Sequence, residues 1–156
     1  MSRAFTKEQD DVPAGLVERP VSPHRNLVTQ NGLRLIEAEL ARLQTELGQA
    51  TASGDKASIA HVSRDLRYWT ARRETAELNL ADQDGDVIRF GMQVTVENED
   101  GRQQSWMIVG EDEAEPSKGT ISHISPLAVA LFGKSKGDLV TVNGRGLEII
   151  SFKAIN

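Results

Sequence analysis

Acidic side chains are the groups in this chain best placed to do chemistry. It has 156 residues, with 23 Asp and Glu against 18 Lys and Arg, three His and no Cys. Without cysteine there is no disulfide, no thiolate zinc site and no cysteine nucleophile. His24, His61 and His123 fall in three separate segments, and no pair has metal-ligand spacing, so no metal and no cofactor is expected. No nucleophile-elbow sequence and no phosphate-cradling glycine loop is present. Two acidic features remain. Asp55 stands alone, followed by Lys56, Ala57, Ser58 and Ile59, and a lone carboxylate is a poor holder of Mg²⁺. Glu111–Glu115 reads EDEAE directly after an apolar stretch. That run is open to three readings: a solvated loop, a contact for a basic partner, or a turn fixed by carboxylate-to-backbone hydrogen bonds.

These groups need elements to hold them, and the hydrophobic period supplies a layout. Leu33, Ile36, Leu40, Leu43, Leu47 and Ala50 recur at alternating steps of three and four, which is a heptad seam. Thr29 or Asn31 is a candidate cap for that helix. The stretch TASGD (51–55) interrupts the seam, and Gly54 suits the left-handed turn a helix end needs. A second seam follows at Ile59, Val62, Leu66, Trp69, Arg73, Ala76 and Leu80. Two such helices joined by a few residues run antiparallel, each about 36 Å long for roughly 24 residues, with Asp55 at the far tip.

From Ala81 onward the period becomes two. Met92–Glu97 and Gln104–Val109 read as a hairpin, Thr120–Ile124 as a third strand, and Asp138–Val142 with Leu147–Ala154 as a second hairpin. Between them Pro126–Phe132 reads as a short helix capped by Ser125 and stopped by Gly133. The expected fold class is α+β: a helical hairpin followed by a small sheet-plus-helix domain. The expected domains are a flexible tail over 1–28, an arm over 29–81 and a globular body over 86–156. Leu27 and Val28 are the tail's apolar anchor.

Charge narrows the function classes. Residues 81–156 hold 12 acidic against 7 basic residues, and residues 56–80 hold 5 basic against 3 acidic. An acidic body argues against stable direct nucleic-acid binding, which needs a basic face. No apolar run approaches the roughly 20 residues of a membrane span, and no signal-peptide pattern opens the chain, so a cytoplasmic protein is expected. The heptads are satisfied within one chain, so a monomer is expected.

The segment Ile108–Val140 (IVGEDEAEPSKGTISHISPLAVALFGKSKGDLV) resembles the C-terminal domain of the GreA/GreB transcript cleavage factors. The matching positions include Gly110, Asp112, Glu113, Ala114, Ser125, Pro126, Leu127, Gly133, Lys134, Gly137 and Asp138. The likeness extends through Phe90–Gly91 and, in the first helix, Thr29, Gly32, Ile36, Glu39 and Leu40. It covers about 125 residues and leaves out the N-terminal tail. The resemblance implies a coiled-coil arm and an FKBP-like body. It implies that the body grips the rim of RNA polymerase's secondary channel, with Asp112, Glu113, Ser125, Pro126 and Leu127 as the partner-binding residues. In cleaving members an acidic pair three residues apart at the tip helps the polymerase hold its second Mg²⁺ and activate water. This chain has Asp55 and then Ser58 there, on an arm about two turns shorter, roughly 10 Å less reach. The expectations are therefore an elongation regulator that is weak or inactive in transcript cleavage, not itself an enzyme, with no catalytic residue beyond the tip candidate Asp55. The alternative is an active cleavage factor working through Asp55. A peptidyl-prolyl isomerase, suggested only by the FKBP-like fold, is disfavoured by the few aromatics of the body.

Overall fold

The computed structural model describes residues 16–155. Most of the tail expected over 1–28 therefore lies outside the described residues, and its remainder, from Leu16, makes specific contacts. The chain packs as two units. One joins Leu35–Thr75 to the segment that ends at Pro23, and the other joins His24–Arg34 to the residues from Ala76 onward.

In the first unit two helices follow one another, α1 (Gln30–Ser53) and α2 (Lys56–Thr75). The residues of α1 up to Arg34 belong to the second unit. The heptad seam of α1 is realised: Ile36, Leu43 and Ala50 are buried, and Leu33, Leu40 and Leu47 are half-buried. Arg73 of α2 pairs with Glu37 of α1 at 3.1 Å, and the two helices are joined by Gly54 and Asp55, so they run antiparallel. The seam of α2 departs from expectation at its end. Ile59, Val62, Leu66 and Trp69 are half-buried, but Arg72 is buried while Arg73 is exposed. Arg72 is buried whole, guanidinium included, a placement that the periodicity of apolar residues alone does not register. The helix ends at Thr75, so Ala76 and Leu80 are not helical, and Leu80 is exposed.

The second unit holds two small sheets. Leu27–Val28 (β1) pairs in parallel with Glu77–Leu78 (β2), the Glu77 amide donating to the Asn26 carbonyl at 2.8 Å. Val28 is buried, which makes the expected anchor a true strand. Five further strands, β3 (Met92–Asn98), β4 (Gln103–Val109), β5 (Thr120–Ser122), β6 (Leu139–Val142) and β7 (Arg145–Ala154), form a sheet of order β5-β4-β3-β7-β6. Only the β4–β5 pairing is parallel; a bulge between Thr95 and Val96 bends the sheet where β3 meets β7. Met92, Val94 and Val96 alternate inward from β3, as period two requires. Val94 and Val96 meet Ile88, Phe90, Ile108, Ile121, Val140, Ile149 and two residues of α3 (Pro126–Leu131), Ala128 and Leu131, to make the core. The α+β class and the coiled-coil-plus-sheet layout are as expected. Among the described residues no helix is long and apolar enough to cross a membrane.

Candidate tip and docking sites

At the tip, the end of one helix and the start of the next share three residues. The Gly54 amide donates to the Thr51 carbonyl at 3.2 Å and the Asp55 amide to the Ala50 carbonyl at 3.3 Å. This pair of bonds is the Schellman arrangement, and it requires Gly54 at φ +71°, a conformation a side chain would strain. Asp55 then caps α2. One carboxylate oxygen accepts from the Ser58 amide at 3.3 Å, the other from the Ser58 hydroxyl at 2.7 Å. The Ser58 hydroxyl and then its amide hold the carboxyl below the ordinary aspartate value of 3.8. Asp55 is thus ionised, exposed and engaged by the residue three positions on. Sequence reasoning marked both positions but missed the cap; an Asp two residues after a helix-ending region and three before a Ser is its signal.

The acidic run forms a turn rather than a free loop. The Glu113 and Ala114 amides both donate to the Gly110 carbonyl, at 3.2 and 3.1 Å. Glu113 reaches back along the chain: Oε2 accepts from the Thr29 hydroxyl at 2.6 Å and Oε1 from the Asn31 amide at 2.9 Å. Thr29 in turn accepts from the Gly32 amide at 2.9 Å, which makes it the N-cap of α1. One carboxylate therefore fixes the cap of a helix 84 residues earlier in the chain. Gly110 is equally constrained, because a Cβ there would lie 2.4 Å from the Leu27 carbonyl oxygen. Asp112 sits half-buried in the same turn.

Ser125, Pro126 and Leu127 leave the neighbouring strand. Because β4 and β5 are parallel, with Val109 opposite Ser122, their following turns emerge at the same end of the sheet. The His123 amide donates to the Val109 carbonyl at 2.9 Å and ties the two turns together. Asp112 and Glu113 thus share that end of the sheet with Ser125–Leu127. Their roles differ in kind. The Ser125 hydroxyl accepts from the Ala128 amide at 3.3 Å and caps α3, while Leu127 packs half-buried against the core. Pro126 is exposed, and beside it in sequence Ile124 and Val129 are exposed too. Those two apolar residues were not singled out from the sequence, where Ile124 falls in the expected third strand and Val129 in the short helix. Among the described residues no group of three or more His, Asp and Glu is arranged to hold a metal ion.

Comparison with known proteins gives the family. The family profile described as "Transcription elongation factor, GreA/GreB, C-term" matches residues 82–154. Transcription elongation factor GreA of Bradyrhizobium diazoefficiens is 32% identical over 145 residues, covering 76% of this chain and 88% of that protein. Transcription elongation factor GreA of Chloroflexus aurantiacus is 36% identical over 138 residues, covering 74% and 87%. Among solved structures, Gfh1 of Thermus aquaticus is similar with a TM-score of 0.42 and 20% identity, over 84% of this chain and all of that one. The GreA relatives overturn one expectation. The expectation that the chain is not itself an enzyme is contradicted by these relatives, which are named GreA, a transcript cleavage factor that stimulates RNA hydrolysis by RNA polymerase. At more than 30% identity over more than four-fifths of its relatives' length, the chain belongs to the GreA/GreB family of transcription elongation factors.

Proposed function

We propose that this family member regulates elongation by docking at the rim of RNA polymerase's secondary channel, and that it stimulates transcript cleavage only weakly. Residues 29–81 serve as the arm and residues 86–156 as the docking body, with 1–28 a tail. The docking face comprises Asp112, Ser125, Pro126 and Leu127, with Glu113 shaping the turn beneath Asp112. Support for that face comes from the exposure of Pro126, Ile124 and Val129 beside an acidic turn, an apolar centre with a charged rim. The seam contained within one chain supports a monomer, and the absence of cysteine fits the cytoplasm.

The single observation that carries the reading on cleavage is the engagement of Asp55. Both of its oxygens already accept from Ser58, at the position where the family's acidic pair has its second carboxylate. A metal at this tip would find one ligand, and taking it would break the cap of α2. One specific observation favours a second reading: Asp55 is exposed and held ionised, the state a metal ligand needs. That reading is an active cleavage factor working through Asp55.

Competition with a GreA relative for core RNA polymerase, measured by displacement of the labelled relative, tests the docking. The chain should displace it, and Pro126→Glu should fail to. A polymerase that ignores the unaltered chain would end the proposal.

A further inference from the structure

The N-terminal segment lies on α2 in a defined way. The Glu18 carboxylate takes Arg67 in a two-pronged pair, with Arg67 Nε 3.0 Å from both oxygens and Nη2 closer still to Oε1. Arg19 turns the other way along the helix. Its Nη1 donates to Asp65 at 3.4 Å, and its guanidinium lies 4.0 Å from the Tyr68 ring centroid and 5.7 Å from that of Trp69. Trp69 and Tyr68 meet edge to face at 5.1 Å, which fixes the ring that Arg19 covers. Arg64 completes the patch, its guanidinium donating to Asp65 at 3.2 Å. The receiving surface is therefore a guanidinium, an aromatic face and a carboxylate within about one turn of one helix. It takes an acidic residue followed by a basic one.

We propose that this face of α2 is a binding surface for a partner protein's segment in which an acidic residue precedes an arginine or lysine. Glu18–Arg19 of the chain's own tail holds the surface closed by occupying it. The chemistry of the occupant is read from the strap itself, since a partner must present the same pair of charges in the same order. Charge complementarity restricts it further: Arg67 needs a carboxylate, and Asp65 with Tyr68 needs a cation. The fastening suits exchange rather than permanent closure. Arg67 and Glu18 are 58% and 63% exposed, and exposed ion pairs are weak and screened by salt. A strap covalently continuous with the helix acts at a high effective concentration, so a free segment competes only when the strap is loosened or the partner engages other sites as well. The proposal does not depend on polymerase docking.

The test uses the full chain and, as probe, a synthetic peptide with the sequence of residues 16–23. Binding is followed by fluorescence anisotropy of the labelled peptide. Glu18→Ala in the chain should raise the peptide's affinity about two- to fivefold over the unaltered protein, the share that an exposed ion pair of the internal competitor carries. Glu18→Ala combined with Arg67→Ala should return it to the unaltered level or below. Equal affinity for the unaltered and Glu18→Ala chains would overturn the proposal. So would binding that survives the loss of Arg67.

Discussion

Each arm helix begins at a carboxylate, and the two carboxylates do the same job at very different distances. Asp55 caps α2 from the position just before it, through Ser58 only three residues away, in full exposure. Glu113 secures the cap of α1 from 84 residues downstream, through a part-buried bond from the Thr29 hydroxyl and an exposed one from the Asn31 side-chain amide. The difference teaches where each contact's energy resides. A local cap stabilises one helix end and competes with little else. A long-range clasp joins the start of a helix to a turn of the sheet, so disturbing it disturbs both.

The sharpest way to break the comparison is Gly110→Ala. The added methyl would meet the Leu27 carbonyl at 2.4 Å, and backbone must move to admit it. A loss of about 3 kcal/mol in urea unfolding is expected, with β1 pulled from its partner. Glu113→Ala should cost less, about 1–2 kcal/mol, because the Thr29 hydroxyl loses its acceptor in a part-buried place while the exposed Asn31 side-chain amide can turn to water. Unfolding curves that match the unaltered protein for both variants would mean the clasp is incidental. At the tip the effect should be smaller: Asp55→Ala should lower helicity by circular dichroism slightly and leave the sheet's amide exchange unchanged.

Acid provides the finest discrimination. The folded carboxyl of Asp55 titrates below its ordinary value of 3.8, so its contribution is fully present above that value. It is lost as pH falls through the lower, folded value. Asp55→Asn should flatten that acid loss of helicity, and a loss that is identical in the variant would assign it to other groups.

Much of this was legible in the residues because the physics is local. Ser125 before Pro126, with Gly133 after the apolar stretch, describes a short helix completely, and α3 runs Pro126–Leu131. The heptads of α1 likewise carry their own period. The clasp was not legible, since nothing in EDEAE says that its third member will reach Thr29. Two-residue strands such as Leu27–Val28 and Glu77–Leu78 have no period to read, and their pairing is set by a partner about 50 residues away. Arg72 was missed for a different reason: it is a charged residue buried guanidinium and all, which a period of apolar residues cannot mark. At the candidate site the local contacts of the named residues were not legible from their types alone. Ser125 and Glu113 hold backbone and helix starts in place, while Ile124 and Val129, unremarked in the sequence, stand exposed.

The account turns on the single engaged carboxylate at the tip, and transcript cleavage on stalled elongation complexes tests it most directly. The unaltered chain should shorten the RNA at least about tenfold more slowly than a GreA relative at equal polymerase occupancy, one lost ligand costing 1.4 kcal/mol or more. Ser58→Glu, which supplies a second carboxylate three residues from Asp55, should raise the rate. Rapid shortening by the unaltered chain, abolished by Asp55→Ala, would contradict the account.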